Sequence, residues 1–300
     1  MTTPTMLLVT ESPLSLMAVP GAQDHPGVIT YWSASGDHSL QLVQSAWMAA
    51  GLPPEIEKLA PQAPQPAECL TRAVHSVAGQ RAHVVRRHPK GGLLVIPERV
   101  TEDGEDLDLT SGQRLRVTWD PKGGALVFDV PTHPLVHAIQ SSFVHHRTHL
   151  TAGDFGDHLP VVVRALDAVG LRSRGGFYFV PRTSEGAWGR VLEALKASTH
   201  GQVKVYRIPV LAADEALEAV VDAVLLETEA AARTVCAEVE LAKGSLGKRA
   251  AATKAKAMDS ALTRVEAYEA LLGVSLVAAR NAVSLAQGAV VAAALGGLAE

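Results

Sequence analysis

The sequence predicts an α+β fold, in which antiparallel β-hairpins and a strand–helix–strand unit are followed by a long C-terminal helical hairpin. Three observations support this prediction. The tetrapeptide Pro-Lys-Gly-Gly occurs at 89–92 and again at 121–124, each time between two apolar runs, as in hairpin turns. Residues 211–300 carry apolar side chains at helical spacing over long stretches. Apolar residues make up 47% of the chain but aromatic residues only 4%, so the core depends on Ala, Val and Leu, which suit helix packing.

Length, charge and cysteine content limit the class of protein. The 300 residues indicate roughly two domains, and we predict an α+β head at 1–210 and a helical hairpin or coiled-coil region at 211–300. The formal net charge of −4 provides no overall attraction to nucleic acid or anionic lipid. The chain has two cysteines, Cys69 and Cys236, and its N-terminus lacks the basic start of a secretory signal. We therefore expect a cytoplasmic protein without a disulfide framework.

The N-terminal elements follow from local patterns. A strand is predicted at Gly27–Trp32, and helical spacing of apolar residues between 40 and 48 predicts a helix that ends before Gly51. Five prolines within residues 53–66 predict an extended linker. A short helix is then expected at Ala67–Val77.

The two Pro-Lys-Gly-Gly turns predict the strands on either side of them. In the first hairpin Ala82–His88 pairs with Leu93–Pro97, and in the second Arg114–Asp120 pairs with Ala125–Val130. The acidic stretch Thr101–Gln113 between the hairpins lacks a carboxylate at the last calcium-ligating position, so we interpret it as a solvated loop.

The middle of the chain predicts a strand–helix–strand unit. Thr151 and Asp154 have the spacing of a capping box, which begins a helix that stops by Gly170. A strand at Gly176–Val180, a helix at Ser184–Ser198 and a strand at Val203–Val210 follow. If the two strands share one sheet, they are expected to be parallel.

Two long C-terminal helices differ in charge. The first, Asp214–Leu241, is acidic, and the segment 243–264 of the second is basic. An antiparallel hairpin in which the acidic arm lies beside the basic arm explains this segregation. The alternative is a basic helix that binds DNA, with Lys248 and Arg249 near its start.

The C-terminal tail is apolar nearly all round. Ala282–Ala299 is an uncharged run of 18 residues, near the lower length limit for a membrane-spanning helix. Its many alanines and glycines make it weakly hydrophobic, so we expect a helix buried by protein and not a membrane anchor. Its small residues would let a helix of a second copy approach closely, and we expect a chain without residues 282–300 to be a folded monomer. These small residues include Ala292, Ala293, Gly296 and Gly297.

Motifs with a fixed chemical meaning are mostly absent. Residues 244–248 resemble a phosphate loop, but Ala242 replaces its first glycine and Arg249 its metal-binding Ser or Thr. We therefore expect no bound cofactor and assign no catalytic residue.

A cluster of histidines is the strongest indication of an enzyme. Imidazoles one helical turn apart can share a transition metal with a carboxylate, and His133 and His137 are placed on one helix face. A metal-dependent hydrolase would use this cluster, whereas surface and partly buried histidines are the structural alternative. The candidate ligands are His133, His137, His145, His149, His158 and Asp154, with His146 and Asp157 nearby.

An aromatic strand with basic ends indicates nucleic-acid binding. Phe177 and Phe179 share a strand face, and Arg172, Arg174 and Arg182 flank them. Rings on such a strand can stack on bases while the arginines contact phosphate, although rings on a strand more often form core.

The same strand carries a resemblance to a known family. The segments GGFYFVP at 175–181, AECLTRA at 67–73 and YEALLG at 268–273 resemble an uncharacterised family of bacterial, archaeal and phage proteins. The similarity extends over most of residues 40–273. It implies a phage- or mobile-element-associated protein of unknown activity, with no catalytic residues to carry over.

These observations favour a non-enzymatic assembly or adaptor protein that binds a second copy or a protein partner through helices within 214–299. The alternative is a nucleic-acid-binding protein that uses Arg172, Arg174, Arg182 and the basic helix 243–264. The third hypothesis is the metal-dependent hydrolase, and no membrane association is expected.

Overall fold

The computed structural model describes residues 25–79, 83–89, 91–97, 99–100, 107–108, 114–172, 176–210, 214–242 and 245–296. The helices are α1 (Leu40–Ala49), α2 (Pro54–Glu57), α3 (Pro66–Gly79), α4 (Val136–Thr148), α5 (Ala152–Ala165), α6 (Arg182–Thr199), α7 (Asp214–Leu241), α8 (Lys248–Leu272) and α9 (Val277–Gly296). The first strands are β1 (Gly27–Ala34), β2 (Asp37–Ser39), β3 (His83–Arg87), β4 (Leu93–Pro97), β5 (Arg99–Val100) and β6 (Leu107–Asp108). The remaining strands are β7 (Leu115–Asp120), β8 (Ala125–Phe128), β9 (His149–Thr151), β10 (Val169–Gly170), β11 (Tyr178–Pro181) and β12 (Val203–Pro209). The predicted α+β class is confirmed.

The central sheet has the strand order β10-β11-β1-β12, and every neighbouring pair is antiparallel. Because β11 and β12 are both antiparallel to β1, they are parallel to each other, as the strand–helix–strand pattern predicts. They do not pair directly, since the N-terminal strand β1 lies between them.

One face of this sheet packs on α1, α5 and α6. The core between them includes Trp47, Phe155 and Trp188, all fully buried. Thr151 and Asp154 form the predicted capping box at the start of α5, with hydrogen bonds in both directions. The predicted linker at 53–66 contains the short helix α2, whose Ile56 is buried and accepts a hydrogen bond from Trp47 Nε1 at 3.2 Å. The prediction of a wholly extended linker is therefore wrong, because burial of Ile56 folds part of it onto the core.

A second sheet contains both predicted hairpins, in the order β3-β4-β7-β8, and packs on α3 and α4. The first Pro-Lys-Gly-Gly turn places Gly92 at φ +85°, where an added Cβ would lie 2.4 Å from the Val117 carbonyl oxygen. Only glycine suits this combination of backbone angle and close approach. Most of the predicted acidic loop Thr101–Gln113 lies outside the described residues.

The C-terminal helices form an up-down-up bundle. Glu238 of α7 pairs with Lys254 of α8, and Glu227 pairs with Arg264 at 3.4 Å, so the two helices are antiparallel as predicted. α9 is the third member, and it contacts α7 and α8 more extensively than they contact each other. The prediction of a two-helix hairpin is therefore incomplete, because the apolar tail packs along both arms.

A further apolar cluster joins the bundle to the sheet. Phe179 and Val169 of the sheet pack with Val224, Val265 and Tyr268 of the bundle. The division at residue 210 stays a prediction, but this cluster contains residues from both sides of it.

Candidate functional site

The histidines of the predicted metal site are spread over several environments. His133 lies in the turn before α4, and its Nδ1 accepts a hydrogen bond from the Leu135 amide at 3.2 Å. It therefore does not share a helix face with His137, because the helix begins only at Val136. His145 and His149 stack with ring centroids 4.3 Å apart, and His145 Nε2 contacts Asp37 Oδ2 at 2.7 Å.

Asp154, the predicted carboxylate ligand, has other partners. Both of its oxygens accept hydrogen bonds from Arg72, at 2.7 and 2.8 Å, and Oδ2 also accepts one from the Thr151 amide. Burial by itself would raise the pKa of Asp154, but the hydrogen bonds from Arg72 and Thr151 outweigh it and lower the pKa. In the part of the chain that the structure describes, no group of three or more His, Cys, Asp or Glu side chains is arranged to hold a metal ion.

His158 lies beside a small cavity of about 310 Å³ that Glu68, Asp154 and Asp157 also line. Its ring packs edge-on against Trp47 with centroids 5.7 Å apart, and its buried Nε2 has no hydrogen-bond partner among the described residues. Burial lowers the pKa of His158. The pKa of His146 is lowered as well, first by burial and then by the neighbouring His145. Both imidazoles are therefore held neutral in the fold.

We expect the protein to lose stability as the pH falls from 7.5 to 5, and His158→Phe to remove part of this loss. A folded-state pKa below the unfolded value means that protons bind the unfolded chain preferentially. The stabilising term is therefore complete above about pH 6.5, the ordinary histidine value, and decreases as the pH falls towards the folded-state pKa. Asp154 stays ionised in this range, because its pKa is lowered.

Thermal midpoints at several pH values measure this effect, which we expect to be a few degrees. The control is His75→Gln, which alters an exposed histidine of α3. An unchanged pH dependence in His158→Phe would show that this buried imidazole does not contribute.

The aromatic strand divides between core and surface. Phe179 is fully buried against the bundle, so the predicted stacking role for it is wrong. Phe177 instead stacks on Tyr31 of β1 with centroids 5.0 Å apart, and Tyr31 stacks on Tyr206 of β12 at 4.7 Å. The guanidinium of Arg172 lies over the Phe177 ring at 5.6 Å. We call Phe177, Tyr31 and Tyr206 the aromatic column.

The other predicted basic residues are not gathered around the column. Arg182 begins α6 at the far end of β11 from Arg172, and Arg174 lies outside the described residues. Lys248 and Arg249 are exposed at the start of α8, on the bundle. The sequence pattern did not lead us to predict a role for Tyr31 and Tyr206. Their positions in the alternating patterns of β1 and β12 could have indicated that they lie on one face of the sheet.

The outer face of α9 is exposed and apolar. Ala279, Val283, Ala286, Val290 and Ala293 are buried within the bundle, whereas the opposite side faces solvent. On that side Leu285 is 72% exposed, Leu295 64%, Val291 58% and Val277 57%. We call Val277, Leu285, Val291 and Leu295 the α9 face. Ser284, Gly288 and Ala292 are exposed between them.

α9 is also the one helix of the described residues that is long and apolar enough to cross a membrane. Its mean hydropathy over the best window is 1.2, and 28% of that window is buried inside the protein. Its packing along α7 and α8 accounts for one side of the helix only. Another molecule therefore needs to cover only the α9 face, and not the whole helix.

A family model described as a family of unknown function (DUF6744) matches residues 27–296. No curated protein and no solved structure matches the chain. The matched range contains every helix and strand of the described residues, from the start of β1 to the end of α9.

Proposed function

We propose that this chain, which belongs to the family of unknown function DUF6744, has a non-enzymatic role in assembly. In this role two copies associate through their α9 faces. Membership confirms that the family is uncharacterised, and its bacterial, archaeal and phage distribution stays a prediction. The exposed apolar surface of α9 is the observation that carries the proposal. Soluble proteins seldom leave a contiguous apolar patch uncovered unless it binds another molecule.

The spacing along α9 supports a helix as the partner. The exposed residues Val277, Asn281, Ser284, Gly288, Val291 and Leu295 are separated alternately by four and three residues, which is the spacing of a helix–helix seam, and Leu285 lies on the flank of this seam. The small residues Ser284 and Gly288 lie in the middle of this seam and allow two backbones to approach closely. Charge is absent from α9 after Arg280, so an identical copy can face it without like-charge repulsion.

Association with a second copy is also compatible with two-fold symmetry. A two-fold interface brings the same patch of both subunits together, and a single linear stripe is suited to this arrangement. A different helical protein that covers the same face would make the protein an adaptor instead of a self-assembling subunit.

The proposed assembly has a cellular compartment and a biological context. We propose a cytoplasmic protein associated with phage or other mobile elements. The resemblance of the three sequence segments supports the association, and the lack of a disulfide framework supports the compartment.

The test is the molar mass of the full-length chain in solution at tens of micromolar, measured by light scattering. We expect a dimer, and we expect Leu285→Glu with Val291→Glu to produce a folded monomer. Both side chains are exposed, so the substitutions place two charges on the α9 face without altering the buried side of the helix. Leu42→Glu is the matched control, because Leu42 is 53% exposed but lies on α1 in the head.

A wild-type monomer, or a double variant that keeps the dimer mass, would overturn the proposal. Deletion of residues 282–300 is not a suitable test, contrary to the expectation from sequence. It would remove Val283, Ala286 and Val290 from the core of the bundle and so destabilise the chain itself.

A further inference from the structure

Among the residues that the structure describes, one end of the aromatic column is left uncovered. Its rings are nearly parallel, at 13° and 15°, and their spacing follows the distance between neighbouring strands. Both faces of the central Tyr31 ring are therefore covered by its neighbours. Arg172 covers the Phe177 end, so within the described part of the chain the outer face of Tyr206 is the uncovered face of the column.

The position of Tyr206 makes that face accessible. β12 is an edge strand of the central sheet, and Tyr206 is 43% exposed on it. The ring is held upright by its stack on Tyr31, and the strand beneath it is fixed by a hydrogen bond from Thr30 Oγ1 to the Tyr206 carbonyl at 3.0 Å. A planar ligand would meet a rigid ring there and would not need to order a flexible one.

We propose that this column is a binding site for single-stranded nucleic acid, in which an unpaired base stacks on the outer face of Tyr206. The base extends the column by one ring at the edge of the sheet. This activity is separate from association through the α9 face, because the two surfaces lie on different elements.

The strands that carry the column have a charge that favours an anionic ligand. β1, β11 and β12 contain no Asp or Glu, and β12 carries Lys204 and Arg207, of which Arg207 lies on the opposite face near Gly189 of α6. Lys204 is exposed two residues from Tyr206 and so lies on the same face of the strand. Its ammonium can contact the phosphate next to a base that stacks on Tyr206. The net charge of −4 means that this attraction is local to the strand.

Stacking also selects single strands over duplexes. In a duplex both faces of each base are covered by neighbouring bases, whereas an unpaired base presents a free face. Stacking of a base on an aromatic side chain contributes about 1–3 kcal/mol and tolerates any base. We therefore expect weak sequence preference and marked dependence on salt.

The experiment uses the full-length chain and a fluorescently labelled oligothymidylate of about 20 nucleotides. Fluorescence anisotropy at about 50 mM salt gives the Kd. We expect Tyr206→Ala to weaken binding about 5- to 150-fold, which corresponds to the stacking contribution. Tyr206→Phe keeps the ring and is expected to bind like the wild type. Ile208→Ala is the matched control, because it shortens another exposed side chain of the same strand.

Two further measurements distinguish stacking from general attraction to phosphate. Ultraviolet cross-linking followed by peptide mass spectrometry is expected to place the cross-link on the peptide that contains Tyr206. Lys204→Gln is expected to reduce the slope of log Kd against log salt by about 0.7. The thermal midpoints of all variants confirm that they are folded.

Several results would overturn the proposal. They are the absence of binding to the oligonucleotide at high micromolar protein, equal binding by Tyr206→Ala and wild type, and equal or tighter binding of a duplex of the same length. Competition by free thymidine monophosphate at a concentration equal to that of the oligonucleotide would also contradict it, since it would assign the site to mononucleotides.

Discussion

Replacement of Trp188 by alanine is expected to destabilise the protein by about 3–5 kcal/mol, the usual range for a large buried aromatic residue. Trp188 is fully buried between α6 and the central sheet, and its ring meets Trp32 edge-on at 6.5 Å. Its Nε1 donates a hydrogen bond to Thr30 Oγ1 at 3.1 Å. Truncation would leave a cavity in the largest core of the head and remove this bond.

Urea unfolding measures the loss, and Trp188→Phe separates its causes. Phenylalanine keeps most of the apolar volume, so its effect is expected to be clearly smaller than that of alanine. Lys196→Ala, an exposed change on the same helix, is expected to stay within about 0.5 kcal/mol. If alanine at position 188 cost no more than this control, Trp188 would not hold α6 on the sheet.

Two hydrogen bonds connect Trp188 to the strand that carries Tyr206 of the aromatic column. Thr30 accepts the hydrogen bond of Trp188 and donates its own to the Tyr206 carbonyl at 3.0 Å. The strand that carries Tyr206 is therefore hydrogen-bonded to a side chain, Thr30, that lies on the opposite face of the sheet. The proposed binding site is thus connected to the buried core of the head through Thr30.

Replacement of Tyr268 by alanine is expected to have a comparable effect, about 3–5 kcal/mol, at the junction of sheet and bundle. Tyr268 of α8 is 1% exposed and packs near Phe179, with ring centroids 6.1 Å apart. Its hydroxyl donates a hydrogen bond to the Asp167 carbonyl at 2.7 Å, and burial raises the pKa of the phenol. The hydroxyl therefore stays protonated and remains a donor throughout the physiological range.

Tyr268→Phe removes only that hydrogen bond and is expected to cost about 1–2 kcal/mol. Urea unfolding gives both values, and hydrogen exchange at the amides of β11 reports on the contact with the bundle. We expect faster exchange there in Tyr268→Ala, because Phe179 loses its neighbour. Exchange identical to wild type together with full stability would mean that the bundle is not anchored by this residue.

Local patterns were sufficient for most elements. The Pro-Lys-Gly-Gly repeats located both hairpin turns, since a turn depends on the few residues that form it. The capping box of Thr151 and Asp154 and the long helices α7 and α8 were predicted for the same reason. The segregated charges also predicted that α7 and α8 are antiparallel, because two ion pairs join them in that orientation.

The candidate surfaces depended on contacts between distant parts of the chain. Phe177 and Phe179 are equivalent in the sequence pattern, yet one is in the aromatic column and the other is buried under the bundle. The pattern identifies the face of a strand but not the element that covers it. Tyr31 and Tyr206 became candidates only once β1 was found next to both β11 and β12.

The sequence by itself determined the class of fold, the hairpins, most of the helices and the apolar character of the tail, since these follow from neighbouring residues. Tertiary structure alone decided that the described histidines form no group arranged to hold a metal ion, that β1 separates β11 from β12, and that α9 buries one side and exposes the other. Each of these outcomes is set by which surfaces pack together across long separations in the chain. Residue periodicity carries no information about such partners, because a stripe of apolar side chains is buried equally well by any complementary surface.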